Sequence, residues 1–334
     1  MLEQLHTNQR LLVQELIQRG ASFKIIDLDD ELIEINFDGK KQFLLDRFSD
    51  VAPYHMVKVS ADKHLAKQIL RNNNINTPQG GVFTGQNVEQ ALAYAKDLFP
   101  VVIKPNWGSH GNHIQVNLKT AEQLEIAIWH FISNNGHDEP FIIEKFFPWK
   151  EYRLFVTQAG GFAVVHREPA SVCGDGFYTI KELIERDNKK RIQQKQNSLT
   201  SICPIVLDKE VVKTLEEQNL DLNYIVPQAL QVFLRFESNL AKGGRAIDMT
   251  DAINPSFKDL ALKCLNSFKG MPCMGLDLLC KDITTAQSIN DNNYVIIEAN
   301  SNPGLAMHTY PSHGKSRNVA SLLADVMFPQ SIKA

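Results

Sequence analysis

Two apolar runs constrain this chain more than any other feature: Gly275-Leu-Asp-Leu-Leu279 and Asn293-Tyr-Val-Ile-Ile-Glu-Ala-Asn-Ser-Asn-Pro-Gly304. Each reads as a buried strand carrying isolated oxygen ligands, Asp277 in the first and Glu298 with Asn300 in the second. Strand periodicity puts Glu298 and Asn300 on one face, and an aspartate on a neighbouring strand adds a third oxygen there. Unpaired carboxylates among Leu276, Leu278, Leu279, Val295, Ile296 and Ile297 are expensive, which disfavours ordinary solvent-facing polar residues. Hard oxygens of this kind suit Mg²⁺ beside substrate phosphates, because Mg²⁺ keeps waters and takes few protein groups. A metal site that handles phosphate is the expectation.

At 334 residues the chain has material for two or three lobes. Its net charge of −3 provides no general attraction to nucleic acid or to acidic membranes. No apolar run reaches membrane-spanning length, and Met1-Leu-Glu-Gln-Leu-His6 lacks the pattern of a secretory signal. Cys173, Cys203, Cys264, Cys273 and Cys280 form no C-x-x-C pair and read as reduced thiols without a metal or redox role. The expectation is therefore a cytoplasmic protein with no nucleic-acid or membrane partner, a homodimer being left open.

Along the chain, Leu11, Leu12 and Leu16 share a helical spacing over 8–19, with Gly20 as its stop. Strands follow near 23–27, 32–37 and 42–45. Ser60 is the expected N-cap of a helix over 61–72. Strand and helix then alternate through 81–83, 88–98, 101–104, 121–133 and 141–144. Beyond Glu151 strands dominate, opening with a hairpin of 151–157 and 162–167 about Gly160-Gly161. A helix over 181–196 places Lys189, Lys190, Arg191 and Lys195 on a solvated face. Helices over 257–268 and 317–327 complete an α/β, or α+β, chain of several lobes.

A second set of residues also fits phosphate. Lys104 closes the apolar strand Val101-Val-Ile103 and is a fixed point charge beyond its end. The loop Gly108-Ser109-His110-Gly111 lets backbone N–H groups approach phosphate oxygens, although it matches neither a P-loop nor a dinucleotide fingerprint. Lys63 at a helix start is another candidate, with a plain surface lysine as the alternative. Phe141-Ile-Ile-Glu144 ends a buried strand, and the connector Lys145-Phe146-Phe147 offers backbone groups to an adenine edge. Glu151 opens the next strand and can accept from both ribose hydroxyls, with Arg153 on the same face. Arg153, Arg167 and Arg235 lie in apolar strand-like runs and need either an anionic ligand or an internal carboxylate.

In order and spacing these residues resemble the ATP-grasp superfamily of carboxylate–amine ligases. The likeness covers Asp62-Lys63, Val-Ile-Lys104-Pro with its Gly-rich loop, Glu144 with Glu151, and Asp277, Glu298 and Asn300 before Asn302-Pro-Gly304. Three further stretches are similar to the ligase half of the fused bacterial glutamate–cysteine ligase/glutathione synthetase, and more distantly to cyanophycin synthetase. They are His166-Arg-Glu-Pro-Ala170 with Gly174-Asp-Gly176, Phe233-Leu-Arg-Phe-Glu-Ser-Asn239 with Ile247-Asp-Met-Thr-Asp251, and Met307-His-Thr-Tyr-Pro-Ser-His-Gly-Lys-Ser-Arg317. The family pattern Arg-Glu-Asn-Ser-Asn reads Arg-Phe-Glu-Ser-Asn here, so Arg235 and Asn239 match while the residues between them depart. The likeness begins near Val51, so γ-glutamylcysteine is expected to come from elsewhere.

The resemblance implies an ATP-grasp fold: a small N-terminal α/β lobe over 1–55 and two α+β lobes, 56–145 and 146–334, clasping ATP. It implies adenine at Glu144, Lys145, Phe146 and Phe147, ribose on Glu151, and Lys63 and Lys104 on the α- and β-phosphates, with Gly108, Ser109, His110 and Gly111 over the γ-phosphate. Asp277, Glu298 and Asn300 would hold two Mg²⁺ ions, with Mn²⁺ as a substitute. Arg235, Asn239 and Arg153 are the implied catalytic residues, Arg235 stabilising an oxyanion. Arg167, Lys315 and Arg317 would hold a substrate carboxylate. The implied reaction joins a small-molecule carboxylate to an amine through an acylphosphate, with glutathione synthesis from γ-glutamylcysteine and glycine as the leading reading. A ligase for another amino acid or γ-glutamyl peptide, a small-molecule kinase and a non-catalytic nucleotide module are the alternatives.

Overall fold

A computed structural model describes residues 2–108, 113–197, 200–286 and 293–329. The chain opens with α1 (Thr7–Gln18) and an antiparallel sheet, β1 (Ser22–Asp27), β2 (Leu32–Phe37), β3 (Lys40–Leu45) and β4 (Phe48–Ser49). The Leu11, Leu12 and Leu16 face of α1 is buried, and Gly20 follows the helix with φ +100°.

Next come α2 (Tyr54–Ala61) and α3 (Lys63–Asn72). The expected cap at Ser60 is corrected: Ser60 lies inside α2, and the Asp62 carboxylate caps α3 by accepting the Leu65 N–H at 2.8 Å. Its charged side chain satisfies an orphan helix donor at that turn.

A four-stranded sheet follows, in the order β5-β8-β6-β7. It comprises β5 (Gly80–Phe83), β6 (Val101–Pro105), β7 (Gln115–Leu118) and β8 (Phe141–Lys145), and is backed by α4 (Val88–Ala95) and α5 (Ala121–Asn135). Ala91, Ile103, Ile128, Phe131, Phe141 and Ile143 form its separate core. Residues 56–76 were expected in this lobe, yet Ala66, Leu70 and Ile75 pack into the core of the following lobe.

That lobe is built on β9 (Lys150–Thr157) and β10 (Phe162–Glu168), the expected hairpin, followed by β11 (Ser171–Cys173), α6 (Ile180–Asn197), α7 (Lys209–Glu217), β12 (Gln231–Phe233) and β13 (Arg245–Asp248). It is completed by α8 (Ser256–Ser267), β14 (Cys273–Cys280), β15 (Tyr294–Asn300), α9 (Ala306–Thr309) and α10 (Val319–Met327). Helix α10 starts two residues later than the sequence suggests, capped by the Asn318 side chain on the Ser321 N–H at 3.1 Å. The central sheet runs β13-β10-β9-β14-β15, antiparallel throughout. One face is covered by α8 and α3, while α1 and α10 share a core with Phe155, Ala163 and Cys273 of the other face. Strands β11 and β12 form a two-stranded ribbon over a small core of their own with α6 and α7. No helix among the described residues is long and apolar enough to cross a membrane, and all five cysteines are free thiols.

Candidate active site

The candidate site occupies one face of the central sheet, and strand register builds it. Val165, Arg153, Asp277 and Glu298 stand side by side on β10, β9, β14 and β15. The next rows place Arg167 beside Glu151, and Gly275 beside Asn300. Asp277, Glu298 and Asn300 therefore do converge on one face, but simple alternation alone would not put them there. Tyr294 and Ile296 point into the core, and continued alternation would send Glu298 after them. The register shifts at Ile297, which has no partner on β14, so that Ala299 enters the core and Glu298 and Asn300 face the site. A β-bulge re-aims the ligand pair.

Asp277 is 3% exposed and already surrounded by cations. Arg153 pairs with both of its oxygens, with Nη2 to Oδ2 at 3.0 Å, and Arg167 Nη1 reaches Oδ2 at 3.3 Å. Burial works to raise this carboxyl, but the Arg153 and Arg167 charges outweigh it and hold the group below the ordinary aspartate value. Arg167 Nη1 also pairs with Glu151 Oε1 at 2.8 Å, so Glu151 is not an open ribose acceptor in this conformation, and burial raises its carboxyl. Of the two partners left open for these arginines, the structure selects internal carboxylates.

A carboxylate offers about four lone-pair directions. Three N–H contacts on Asp277 leave one at Oδ1. Buried Asn300 Nδ2 has no partner among the described residues. Glu298 is contacted by Lys63 Nζ at 3.9 Å. Two carboxylates with spare capacity thus fit a hard cation, which Asn300 could join only through its Oδ1, because its Nδ2 is a hydrogen-bond donor. Among the described residues no cluster of three or more His, Cys, Asp and Glu is arranged to hold a metal, which agrees with a set in which only two members are carboxylates.

Gly275 makes room for this row. A Cβ there would lie 2.8 Å from Pro303 Cβ and 3.3 Å from Arg153 Cδ. Gly275→Ala is expected to lower stability by about 1–3 kcal/mol through overpacking and to displace Arg153. Urea unfolding checks this, and an unchanged midpoint would show that the Pro303 turn yields freely.

The basic side of the cleft comes from α3 and the four-stranded sheet. Lys63 Nζ donates to the Gly108 carbonyl at 2.6 Å, and Asn106 fastens the start of α3 by accepting the Lys63 and His64 N–H groups. Burial lowers Lys63. Lys104 and Glu144 form a buried ion pair in which Lys67, unnoticed in the sequence, is the third member. One carboxylate thus serves two ammonium groups. Burial pushes Lys67 down, to about 7, whereas Lys104 loses less to burial than it gains from Glu144. Helical spacing of Lys63 and Lys67 was the available signal. Ser109, His110 and Gly111 lie outside the described residues.

The connector needs correction. Strand β8 extends through Lys145, whose N–H donates to Gln79 O, and the Phe146 N–H donates to Pro100 O. Those two amides are spent within the small lobe and are not offered to adenine. Glu144 has its backbone in the sheet and its carboxylate between the lysines. Phe147 packs against Trp149 with centroids 4.5 Å apart and the rings tilted by 50°.

Four other expectations change. Arg235 follows β12 rather than lying in it, is 1% exposed, and is neutralised by Asp208 at 2.7 Å and Glu237 at 3.1 Å while donating to Val206 O. A fully buried guanidinium needs such partners, so it is not presented to a transferring group. Asn239 caps a short 3₁₀ turn by accepting the Ala241 N–H. Lys315 and Arg317 are held by this chain's own Asp251 and Asp248 instead of awaiting a carboxylate. Arg317 meets both Asp248 oxygens, with Nη2 at 2.7 Å, and reaches Asp251 at 2.9 Å, while Lys315 lies 2.7 Å from Asp251. Arg191 is buried, not solvated: it pairs with Asp187 at 2.8 Å and donates to Cys203 O and Gly243 O. Sequence reading also passed over buried His308, which packs on Phe155 with neither ring nitrogen partnered among the described residues.

No protein-family model matches the chain. A cyanophycin synthetase of Crocosphaera subtropica is 36% identical over 277 residues, 82% of this chain and 31% of that protein. A glutathione biosynthesis bifunctional protein of Clostridium perfringens is 31% identical over 337 residues, 98% of this chain and 41% of that protein. The crystal structure of a bifunctional glutathione synthetase from Pasteurella multocida matches with a TM-score of 0.69 at 27% identity, over 98% of this chain and 44% of that one. The chain thus spans less than half the length of these relatives. With the bifunctional proteins the match also takes in the residues before Val51.

Proposed function

We propose, from an ATP-grasp fold shared with bifunctional glutathione synthetases and homology to them and to cyanophycin synthetases, that this chain is an ADP-forming carboxylate–amine ligase using γ-glutamylcysteine and glycine. The observation that carries this reading is the meeting of two lobes at one point: Lys63 at the head of α3 reaches both Gly108 O and Glu298, beside Asp277 and Arg153.

Asp277, Glu298 and Asn300 would hold Mg²⁺, with Mn²⁺ as a substitute. When bound, the metal neutralises phosphate charge. Lys63, with the net positive Lys67–Glu144–Lys104 cluster behind it, attracts the triphosphate. The γ-phosphoryl group of ATP passes to an oxygen of the acid's carboxylate, releasing ADP. The amine nitrogen then attacks the acyl carbon, the acyl C–O bond to phosphate breaks, and the nitrogen gives up a proton that leaves with the phosphate as the amide forms. Arg153, in the metal row, and Arg167, one row along and in contact with Asp277, are assigned the developing negative charge in place of Arg235. Five free thiols fit a cytoplasmic location.

Purified chain with ATP and Mg²⁺ is expected to release ADP rapidly only when γ-glutamylcysteine and glycine are both present, and to form glutathione. Rapid ADP release with a different acid–amine pair rejects the substrate and keeps the chemistry. A stable phosphorylated product formed from the acid alone would establish a kinase.

A further inference from the structure

Strand β15 carries Glu298 and Asn300 into the site, and its pairing with β14 ends where Asn300 meets Gly275. The buried Asn300 Nδ2 has no partner among the described residues to orient the side chain. Its placement therefore depends on the backbone, and so on the turn that follows. That turn is gripped by the N-terminal sheet. Arg47 Nε donates to Pro303 O at 3.1 Å, and its Nη2 donates to Asn302 O at 3.2 Å. A planar guanidinium spans two successive carbonyls with a fixed fork, which the point charge of a lysine does not. Pro303 in turn packs on Gly275, which also lies against Arg153.

The grip is itself held. Asp46 and Arg47 form the two-residue turn between β3 and β4, closed by the pairing of Leu45 with Phe48. One Asp46 oxygen pairs with Arg47 Nη1, and the other accepts the Asn302 side-chain amide. Fully buried Gln9 of α1 donates to the Asp46 carbonyl at 2.9 Å, and its neighbour Asn8 accepts the Leu305 and Ala306 N–H groups through Oδ1, each at 2.9 Å. The turn after the metal strand is thus fastened at both ends to the N-terminal sheet and helix. Apolar contact would hold a turn at less cost than a guanidinium that is only 10% exposed. Burial lowers Arg47 against the pull of Asp46 and Glu31, and the Arg153 charge is near enough to lower it further. What Arg47 supplies that an apolar side chain does not is the direction of two carbonyls, two and three residues beyond Asn300.

We infer that Arg47 is a positioning residue for the metal site, setting where Asn300 and Glu298 stand through its hold on the Asn302 and Pro303 carbonyls. The inference rests on the metal-dependent ligase reading above. It adds a function for the N-terminal sheet, to which that reading assigns no part in the chemistry.

Equilibrium dialysis of Mn²⁺ against the full chain, at one fixed ADP concentration, tests it alongside urea unfolding. The unaltered chain is expected to bind Mn²⁺, and Arg47→Met to bind it about 10–100-fold more weakly, the loss common for groups that orient metal ligands from behind. The sign separates positioning from charge, because removing a nearby cation would by Coulomb interaction alone tighten Mn²⁺. Arg47→Lys, which keeps the charge and can hold one carbonyl, is expected to fall between the two. A role confined to stability would lower the urea midpoint and leave the folded protein's Mn²⁺ affinity unchanged. That result, or tighter binding by Arg47→Met, overturns the inference while the metal reading stands. If Arg47→Met does not fold, Arg47→Lys decides, and an unaltered affinity there overturns the inference. An unaltered chain that binds no Mn²⁺ with ADP present rejects the metal reading itself, and the inference falls with it.

Discussion

Replacing Asp277 by Asn is expected to weaken the fold as well as stop the reaction. Arg153 is buried against this carboxylate, and Arg167 shares it. A neutral amide leaves Arg153 without its anion, and breaking a buried pair by removing one partner costs about 3–5 kcal/mol. Arg167 suffers less because Glu151 remains. Turnover should fall by at least on the order of 10²–10³-fold, the size seen when one preorganised charge-stabilising group is lost. The paired replacement Arg153→Met with Asp277→Leu should recover most of the stability, since apolar residues of similar volume replace such pairs well, and none of the turnover. Urea unfolding and ADP release measure the two effects separately. An Asp277→Asn protein with unaltered unfolding and near-normal turnover would remove Asp277 from both roles, and a paired variant that turns over would remove it from the chemistry.

Replacing Glu144 by Gln should have a comparable effect on stability and a different signature with pH. Lys67 and Lys104 are both buried on this single carboxylate. Without it two ammonium groups face each other in the small-lobe cleft, again a loss of about 3–5 kcal/mol. Burial works to raise Glu144, but the Lys104 and Lys67 charges hold it below its ordinary 4.5. The unfolded chain therefore binds a proton before the folded chain does. The stabilisation is fully present above about pH 4.5 and is lost as pH falls through the lower folded value. Lys67 acts at the other end: its folded value lies below 10.5, so the unfolded chain takes up the proton first, and stability rises with pH across that interval. Glu144→Gln should flatten the acid limb of the stability profile. Lys67→Met should cost little, because Lys104 still neutralises Glu144. An acid limb that Glu144→Gln leaves unchanged would show that other carboxylates govern it.

Much of the candidate site was legible from residue types alone. Isolated oxygens in Gly275–Leu279 and Tyr294–Asn300, a lysine near the end of the strand at Val101–Pro105, and Glu151 near the start of the next strand all lie on strands that the residue pattern marks out. The β9–β10 hairpin and the apolar face of α1 are marked out likewise. What local pattern could not show is who faces whom. The Ile297 bulge exists only because β14 and β15 pair with a register shift, and it alone keeps Glu298 out of the core. Arg153 and Arg235 sit in similar apolar surroundings in the sequence. Strand order sets Arg153 opposite Asp277, 124 residues away, whereas Arg235 finds Asp208 and Glu237 nearby. Arg191 reads as one basic residue in a solvated helix until α6 packs it beneath the Gly243 carbonyl. By itself the sequence determined most of the strands and helices that frame the site, though not α2, α7 or β7, and which segments carry charges into apolar surroundings, because propensity, alternation and desolvation cost act over a few residues. Only the tertiary structure decided the partner of each charge, because a buried ion is satisfied by whatever the sheet order and register bring within about 4 Å.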